Sequence, residues 1–549
     1  MTLPRHVAFV YDLLVLGAVL AGVADLRAQQ NTPSQFRVAG TVVNRQDGTA
    51  LDRVRVILRN VKDLKDVQSV LTGEDGRFEF RTNAGKYALH GAKRGFISSD
   101  YDQHEQYSTA IVTGAEVDTE NLALKLAPSA VLGGRVLDES GEPVRDATVL
   151  LWREDHMTGV SRISRFRQQN SDDLGTYEFA PLDAGTYYLS VNANPWYAVH
   201  PQTFTSEGTA VAPAAVDASL DVVYPTTYYS SALESDAATP IAVEGGEHPE
   251  LDVRLTPVPA LHLLFRSPGG GEQAYGVPVL QKRAFDGFDR PLRWQPPVLV
   301  APGISELVAP PGKYEVRVYG AGQNGRVVEA DLTEDRQEID STSGEAVSTV
   351  KASVRVLGEG ALPKEVFVVL RDAKHRVTTG AEVTGNGEVD LGEIAPGSYE
   401  VVAGSRADSF SVVRIGVNGQ ETSGHTLHVP AGTALSVTLS MLGGSARVVG
   451  FARHSGKPVA GAMVVLVPKH PGSNVDQFRR DQSDLDGSFS LSGVIPGAYT
   501  VTAIDDGWKL DWSRPEVISK YAAHGTTIVV PAEKGEEIQL PEALEVQAR

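Results

Sequence analysis

Three short stretches of this chain combine flat aromatic rings with carboxylates and amides: Tyr101-Asp102-Gln103-His104-Glu105-Gln106-Tyr107, Asn194-Pro195-Trp196-Tyr197 and Gly507-Trp508-Lys509-Leu510-Asp511-Trp512. Such sets suit sugar rings, whose C–H faces stack on aromatics while their hydroxyls hydrogen-bond to polar neighbours. They equally suit plugging the open end of a small β-sandwich, which is the favoured reading. The candidate ligand-binding residues are Tyr101, Tyr107, Trp196, Tyr197, Trp508 and Trp512. Other chemistry is thinly supplied. The acidic turns Glu74-Asp75, Asp172-Asp173 and Asp484-x-Asp486 each offer two carboxylates, short of the six to eight oxygens calcium takes, and read as Asx-stabilised hairpin turns. Arg162, Arg165 and Arg167 form a local basic run that reads as a solvated face.

These loops follow strands marked by one phrase, Gly-x-Tyr-x-(Leu/Val), which occurs at Gly85, Gly185, Gly312, Gly397 and Gly497. A spacing near 100 residues is that of a small domain, well beyond the ~20–50 residues of a solenoid repeat. Each Tyr is expected to bury its ring at the sandwich edge and to cap a backbone group with its hydroxyl. Around the phrase lie short alternating runs and turn signals, as in Val144–Trp152, Ser171–Phe179 and Glu250–Leu255. The expected fold is all-β: a tandem array of about five small antiparallel β-sandwich (prealbumin-like or Ig-like) domains. The expected bounds are 29–128, 129–257, 258–347, 348–442 and 443–549, with the third and fourth divergent.

Composition agrees. The 549 residues include 54 Gly and 31 Pro, which favours many short strands over long helices. A net charge of −19 opposes general affinity for nucleic acid or anionic lipid. The absence of cysteine excludes disulfides, thiolate metal sites and a Cys nucleophile. At the N-terminus, Arg5 and His6 precede the apolar run Val7–Val23 and a small-residue region ending at Ala28. That layout predicts a signal peptide over 1–28, an extracytoplasmic (periplasmic or secreted) chain, and no membrane span after cleavage. Asp12 interrupts the run, so a retained anchor is the alternative.

The run Gly-x-Val, Gly-x-Pro-Val-x-x-Ala-x-Val, Asp-x-x-Gly-x-(Tyr/Phe), Gly-x-Tyr-x-Leu resembles the carboxypeptidase regulatory-like domain over 36–126, 130–257 and 444–541. The resemblance implies a seven-stranded prealbumin-like sandwich, grouped with starch-binding-like and collagen-adhesin B-type folds. The stretch Tyr224–Tyr229 with Ala237–Ile241 and Leu251–Leu255 resembles secreted multi-module proteins of soil acidobacteria, which implies a bacterial source. Activities hosted by related folds lack their residues here. Zinc carboxypeptidases need a His-x-x-Glu pair, and none occurs. Gly134–Trp152 looks like the core of intradiol-type dioxygenases, whose iron takes two Tyr and two His in a tight His-x-His. The close pair here is His425-x-x-His428, and His156 and His200 are isolated. Isopeptide-forming relatives place an acid four residues after the strand Tyr, where this chain has Gly91, Val191, Val318, Ala403 and Ala503. The expectation is a secreted, non-catalytic binding or scaffold protein without cofactor or metal, its partner a polysaccharide or a cell-surface protein. The alternative is a structural or adhesion element that assembles through sheet edges.

Overall fold

The computed structural model describes residues 35–200, 217–266, 277–289, 298–301, 304–319, 325–340, 344–358, 362, 365–373, 376–405, 409–532 and 535–549. The signal-peptide reading of 1–28 lies outside the described residues. The chain folds as a tandem array of small β-sandwiches, and five modules share one topology. In the first, Arg77–Thr82, Phe36–Asn44 and Leu122–Leu126 form one sheet. Val67–Leu71, Arg55–Asn60, Gly85–Ala92 and Ser99–Asp100 form the other. In every module the first strand pairs in parallel with a closing strand, while its other neighbours run antiparallel. The divergent third and fourth modules obey this rule as the others do. In the fourth and fifth, edge bonds join the two layers into one nine-stranded sheet.

Each module has its own apolar core. Alternation along the strands builds it: Phe78, Phe80 and Thr82 point inward while Arg77, Glu79 and Arg81 face water. The Gly-x-Tyr phrase lies on the second sheet in all five. Tyr87, Tyr187, Tyr314, Tyr399 and Tyr499 are buried. Each hydroxyl donates to the carbonyl oxygen four residues upstream, that of Asn83, Asp183, Pro310, Ala395 and Ile495, at 2.7–3.3 Å. The expected backbone cap is therefore present five times. The ring folds back over the glycine two residues before it; a Cβ at Gly497 would lie 3.3 Å from the Tyr499 ring.

One local expectation differs from the structure. The closing strand of module 2, expected over Glu250–Leu255, is reduced to Val253–Arg254. At Gly134 the backbone of Leu251 approaches so closely that its carbonyl oxygen would lie 2.2 Å from a Cβ, which bends the pairing away from a regular ladder. Module 5 also contains an α-helix, Pro515–Ala522, begun by Pro in the first turn and anchored by buried Ile518. No helix among the described residues is long and apolar enough to cross a membrane.

Candidate functional site

Two of the three aromatic loops meet. The module 1 loop is shaped by its own bonds: His104 and Tyr107 exchange backbone hydrogen bonds at 2.9 Å, and Gln103 Nε2 donates to the Glu105 carbonyl at 2.9 Å. Asp102 and Glu105 take the left-handed conformation, with φ of 51° and 52°. The loop so formed presents His104 and Tyr107 to the indole of Trp508 in module 5. His104 stacks parallel at 5.1 Å and Tyr107 lies tilted at 5.5 Å. Trp508 Nε1 donates to the Gly461 carbonyl at 3.2 Å, which fixes the ring.

At the centre sits Arg480, from the strand Arg479–Gln482. Its side chain is 3% exposed, and it donates to Glu105 at 2.7 and 3.4 Å. The guanidinium lies 4.3 Å from the ring centre of Trp512, with Tyr107 and Trp508 at 5.4 and 5.8 Å. A buried cation needs such compensation, from an opposite charge and from aromatic faces. Beside it, Gln482 Nε2 donates to the Asp102 carbonyl at 2.6 Å and to Thr109 Oγ1 at 2.8 Å. Its Oε1 lies 3.1 Å from His104 Nδ1.

A second set of contacts extends the seam. Lys86 donates to Asp484 at 2.6 Å and to Ser488 Oγ at 2.8 Å. The Ala110 N–H donates to Asp484 at 2.9 Å, the Leu485 N–H donates to the Ala110 carbonyl at 3.0 Å, and Leu485 packs against the module 1 core. Asp484 thus departs from the turn-only role expected of it. The Asx role does hold at Asp172, which accepts from the N–H groups of Leu174 and Thr176 at 2.9 and 2.7 Å. Burial pushes the Asp484 carboxyl up, opposed by Lys86, and pushes Asp481 up to about 6.

The same module 5 loop touches module 2 on its other side. Ser513 N–H donates to the Gly159 carbonyl at 3.0 Å, and Ser161 N–H donates to Asp511 at 2.9 Å. Module 2 in turn grips module 3. Phe285 inserts among Trp152, Tyr188 and Tyr228 with ring centres 5.0–5.7 Å apart. His262 bridges Asp221 at 2.8 Å and Glu306 at 3.0 Å, and Asp221 also meets His200 at 3.0 Å. Glu306 first and Asp221 second raise the His262 pKa to about 9 against the opposing effect of burial.

Of the six candidate residues, Trp508 and Trp512 are buried at 6% and 7% exposure, in a module 5 cluster with Met463, Phe478 and Ile518 that borders the seam. Tyr107 is half-buried in it, and Tyr101 packs against the module 1 core. Trp196 stands apart at 87% exposure, edge-on to Tyr197 at 5.8 Å. Tyr197 and Tyr224 both donate to Glu139, which anchors the base of that loop and leaves the indole open. Arg480, Gln482 and Lys86 are the seam residues that sequence reasoning missed. The signal for the first two is a run of charge, Arg479-Arg480-Asp481, on a strand followed by the turn that carries Asp484, whereas Lys86 lies inside the Gly-x-Tyr phrase.

Among the described residues, no group of three or more His, Asp or Glu side chains is arranged to hold a metal ion. No protein-family model matches the chain, and no curated protein matches it. Solved structures give weak likenesses. The TIE protein of Bacillus anthracis is 11% identical, over 75% of this chain and 76% of that one, with a TM-score of 0.17. A streptococcal ancillary pilin is 12% identical over 53% of this chain and 100% of that one, with a TM-score of 0.20. The shaft pilin SpaA of Lactobacillus rhamnosus GG is 12% identical over 41% of this chain and 98% of that one, with a TM-score of 0.18. Superpositions this poor leave function to the chain's own contacts.

Proposed function

We propose that this chain is an extracytoplasmic, non-catalytic structural element whose sandwiches are locked into a fixed array, with adhesion or assembly as its work. One observation carries the reading: the loops richest in ligand-type residues are spent on holding module 1 to module 5. The Arg480 guanidinium packs against Trp508, Trp512 and Tyr107 there, and His104 stacks on Trp508, so these ring faces are already occupied. The module bounds 29–128, 129–257, 258–347, 348–442 and 443–549 belong to this proposal, as does a carboxypeptidase regulatory-like origin for modules 1, 2 and 5. Support for the latter is the repeated motif and its fivefold tyrosine cap. The charged-then-apolar segment at 5–23 supports export. The partner expected of such an element is a cell-surface protein.

A second reading, polysaccharide binding, is favoured by the open indole of Trp196. A glycan array separates the two. The structural reading expects no glycan bound by the full chain; binding abolished by Trp196→Ala would replace it with the second.

A further inference from the structure

We propose that the strand Val67–Leu71 is a self-pairing edge, through which module 1 joins the same strand of a second copy of this chain. The proposal rests on the structural reading above and names its partner. In each module one strand flanks the neighbour of the Gly-Tyr strand and ends the sheet. Such edges are ordinarily guarded by charge, distortion or a cover, because their unpaired backbone groups template pairing with another chain. Four of the five are guarded or short. Arg162–Asn170 carries Arg162, Arg165 and Arg167. Gly287–Asp289 spans three residues among those described and ends in Asp289. Val377–Glu382 contains Gly380 and Glu382, and its register slips at Leu370/Arg371 of its neighbour. Arg479–Gln482 is covered by module 1 itself.

Val67-Gln68-Ser69-Val70-Leu71 has neither charge nor proline, and among the described residues nothing pairs with its outer side. Its ladder fixes which groups face outward. Asn60 N–H donates to the Asp66 carbonyl and Thr72 N–H to that of Val54, so the even-numbered residues of this strand bond inward to Arg55–Asn60. The N–H and C=O groups of Val67, Ser69 and Leu71 therefore point away from the sheet, following antiparallel alternation. The same residues expose apolar side chains: Val67 is 49% and Leu71 60% exposed, with Leu64 and Val61 of the adjoining hairpin at 68% and 51%.

The sequence around Ser69 selects a second copy as the occupant. An antiparallel two-fold at Ser69 sets Val67 opposite Leu71 and Leu71 opposite Val67, an apolar cross-strand pair on each side. Its ends set Lys62, Asp63, Lys65 and Asp66 of one copy beside Glu74, Asp75 and Arg77 of the other, so both signs meet there and the apolar pairs, not charge, set the approach. Two five-residue strands bury less than the ~1,200 Å² of a standard stable interface, so the association is weak and concentration-dependent.

The lack of any native cysteine gives a direct test. Ser69→Cys places one thiol per copy on the proposed axis, within the Cα separation of about 5.5 Å that a disulfide tolerates. Under mild oxidation the full-length variant is expected to form a covalent dimer. Adding Leu71→Lys should prevent it, and Val377→Cys on the module 4 edge should give none. No dimer from Ser69→Cys, or as much from Val377→Cys, overturns the proposal. So does edge amide protection that requires an added peptide of unrelated sequence, which would assign the edge to a different partner. A chain that keeps its module 1–module 5 distance yet fails to cross-link refutes the edge alone. Loss of that distance refutes the structural reading.

Discussion

Arg480→Ala should open the seam between modules 1 and 5 without unfolding either. The substitution leaves Glu105, 17% exposed, without its cation and takes the guanidinium from over Trp512. Breaking a buried pair costs about 3–5 kcal/mol, and a desolvated cation–π contact contributes about 2 kcal/mol. Glu105 retains some access to water, so the lower figure, about 3 kcal/mol, applies. At about 1.4 kcal/mol per decade that raises the open population roughly 100-fold. The Leu485 N–H reports it, because its acceptor is the Ala110 carbonyl across the seam. Hydrogen exchange at Leu485 should accelerate by about two orders of magnitude, in proportion to the rise in locally open states. Exchange at Val501, in the module 5 core, should stay unchanged. Acceleration below about threefold at Leu485 would mean that Arg480 does not hold the seam, and equal acceleration at Val501 would mean that module 5 as a whole had been loosened.

Three further outcomes follow from the same contacts. The folded pKa of His262 is raised to about 9 by Glu306 and Asp221, so its stabilising effect is full below about 6.5 and is lost as pH rises through 9. Differential scanning calorimetry should show the module 2–module 3 transition falling between pH 7 and 9.5, and His262→Gln should flatten that dependence. Asp481 is an acid whose folded pKa is raised to about 6 by burial, so the folded state binds the extra proton and gains stability as pH falls from 7 towards 5. Once intrinsic rates are corrected, Leu485 exchange should slow over that range, and less so in Asp481→Asn. Tyr499→Phe removes the bond to the Ile495 carbonyl while keeping the ring, and should cost module 5 about 1–3 kcal/mol in denaturant unfolding, with that buried carbonyl left unpaired.

What the sequence reveals of this chain depends on how local the cause is. The Gly-Tyr strands are legible because Tyr caps a carbonyl four residues away, so motif and structure share one short segment. The Asp172 turn is legible for the same reason. Modules 3 and 4 lose part of that turn chemistry, yet their strands pair as in the others because inward alternation, as at Val366, Val368 and Leu370, survives. The eight-residue helix Pro515–Ala522 escapes because one buried side chain, Ile518, gives too little periodicity. The seam is illegible for a different reason. Arg480 and Glu105 lie 375 residues apart, and nothing in either segment alone specifies the other. The aromatic loops were visible as special residues, but their partner was another part of the same chain.

A distance measured across the seam tests the closed array most directly. The chain has no cysteine, so spin labels on Gln106→Cys and Lys509→Cys, both exposed at wild type, report only that pair. A single short, narrow distance that broadens in Arg480→Ala is the predicted result. A broad distribution in the otherwise unaltered chain would contradict the account, since modules 1 and 5 would then move independently.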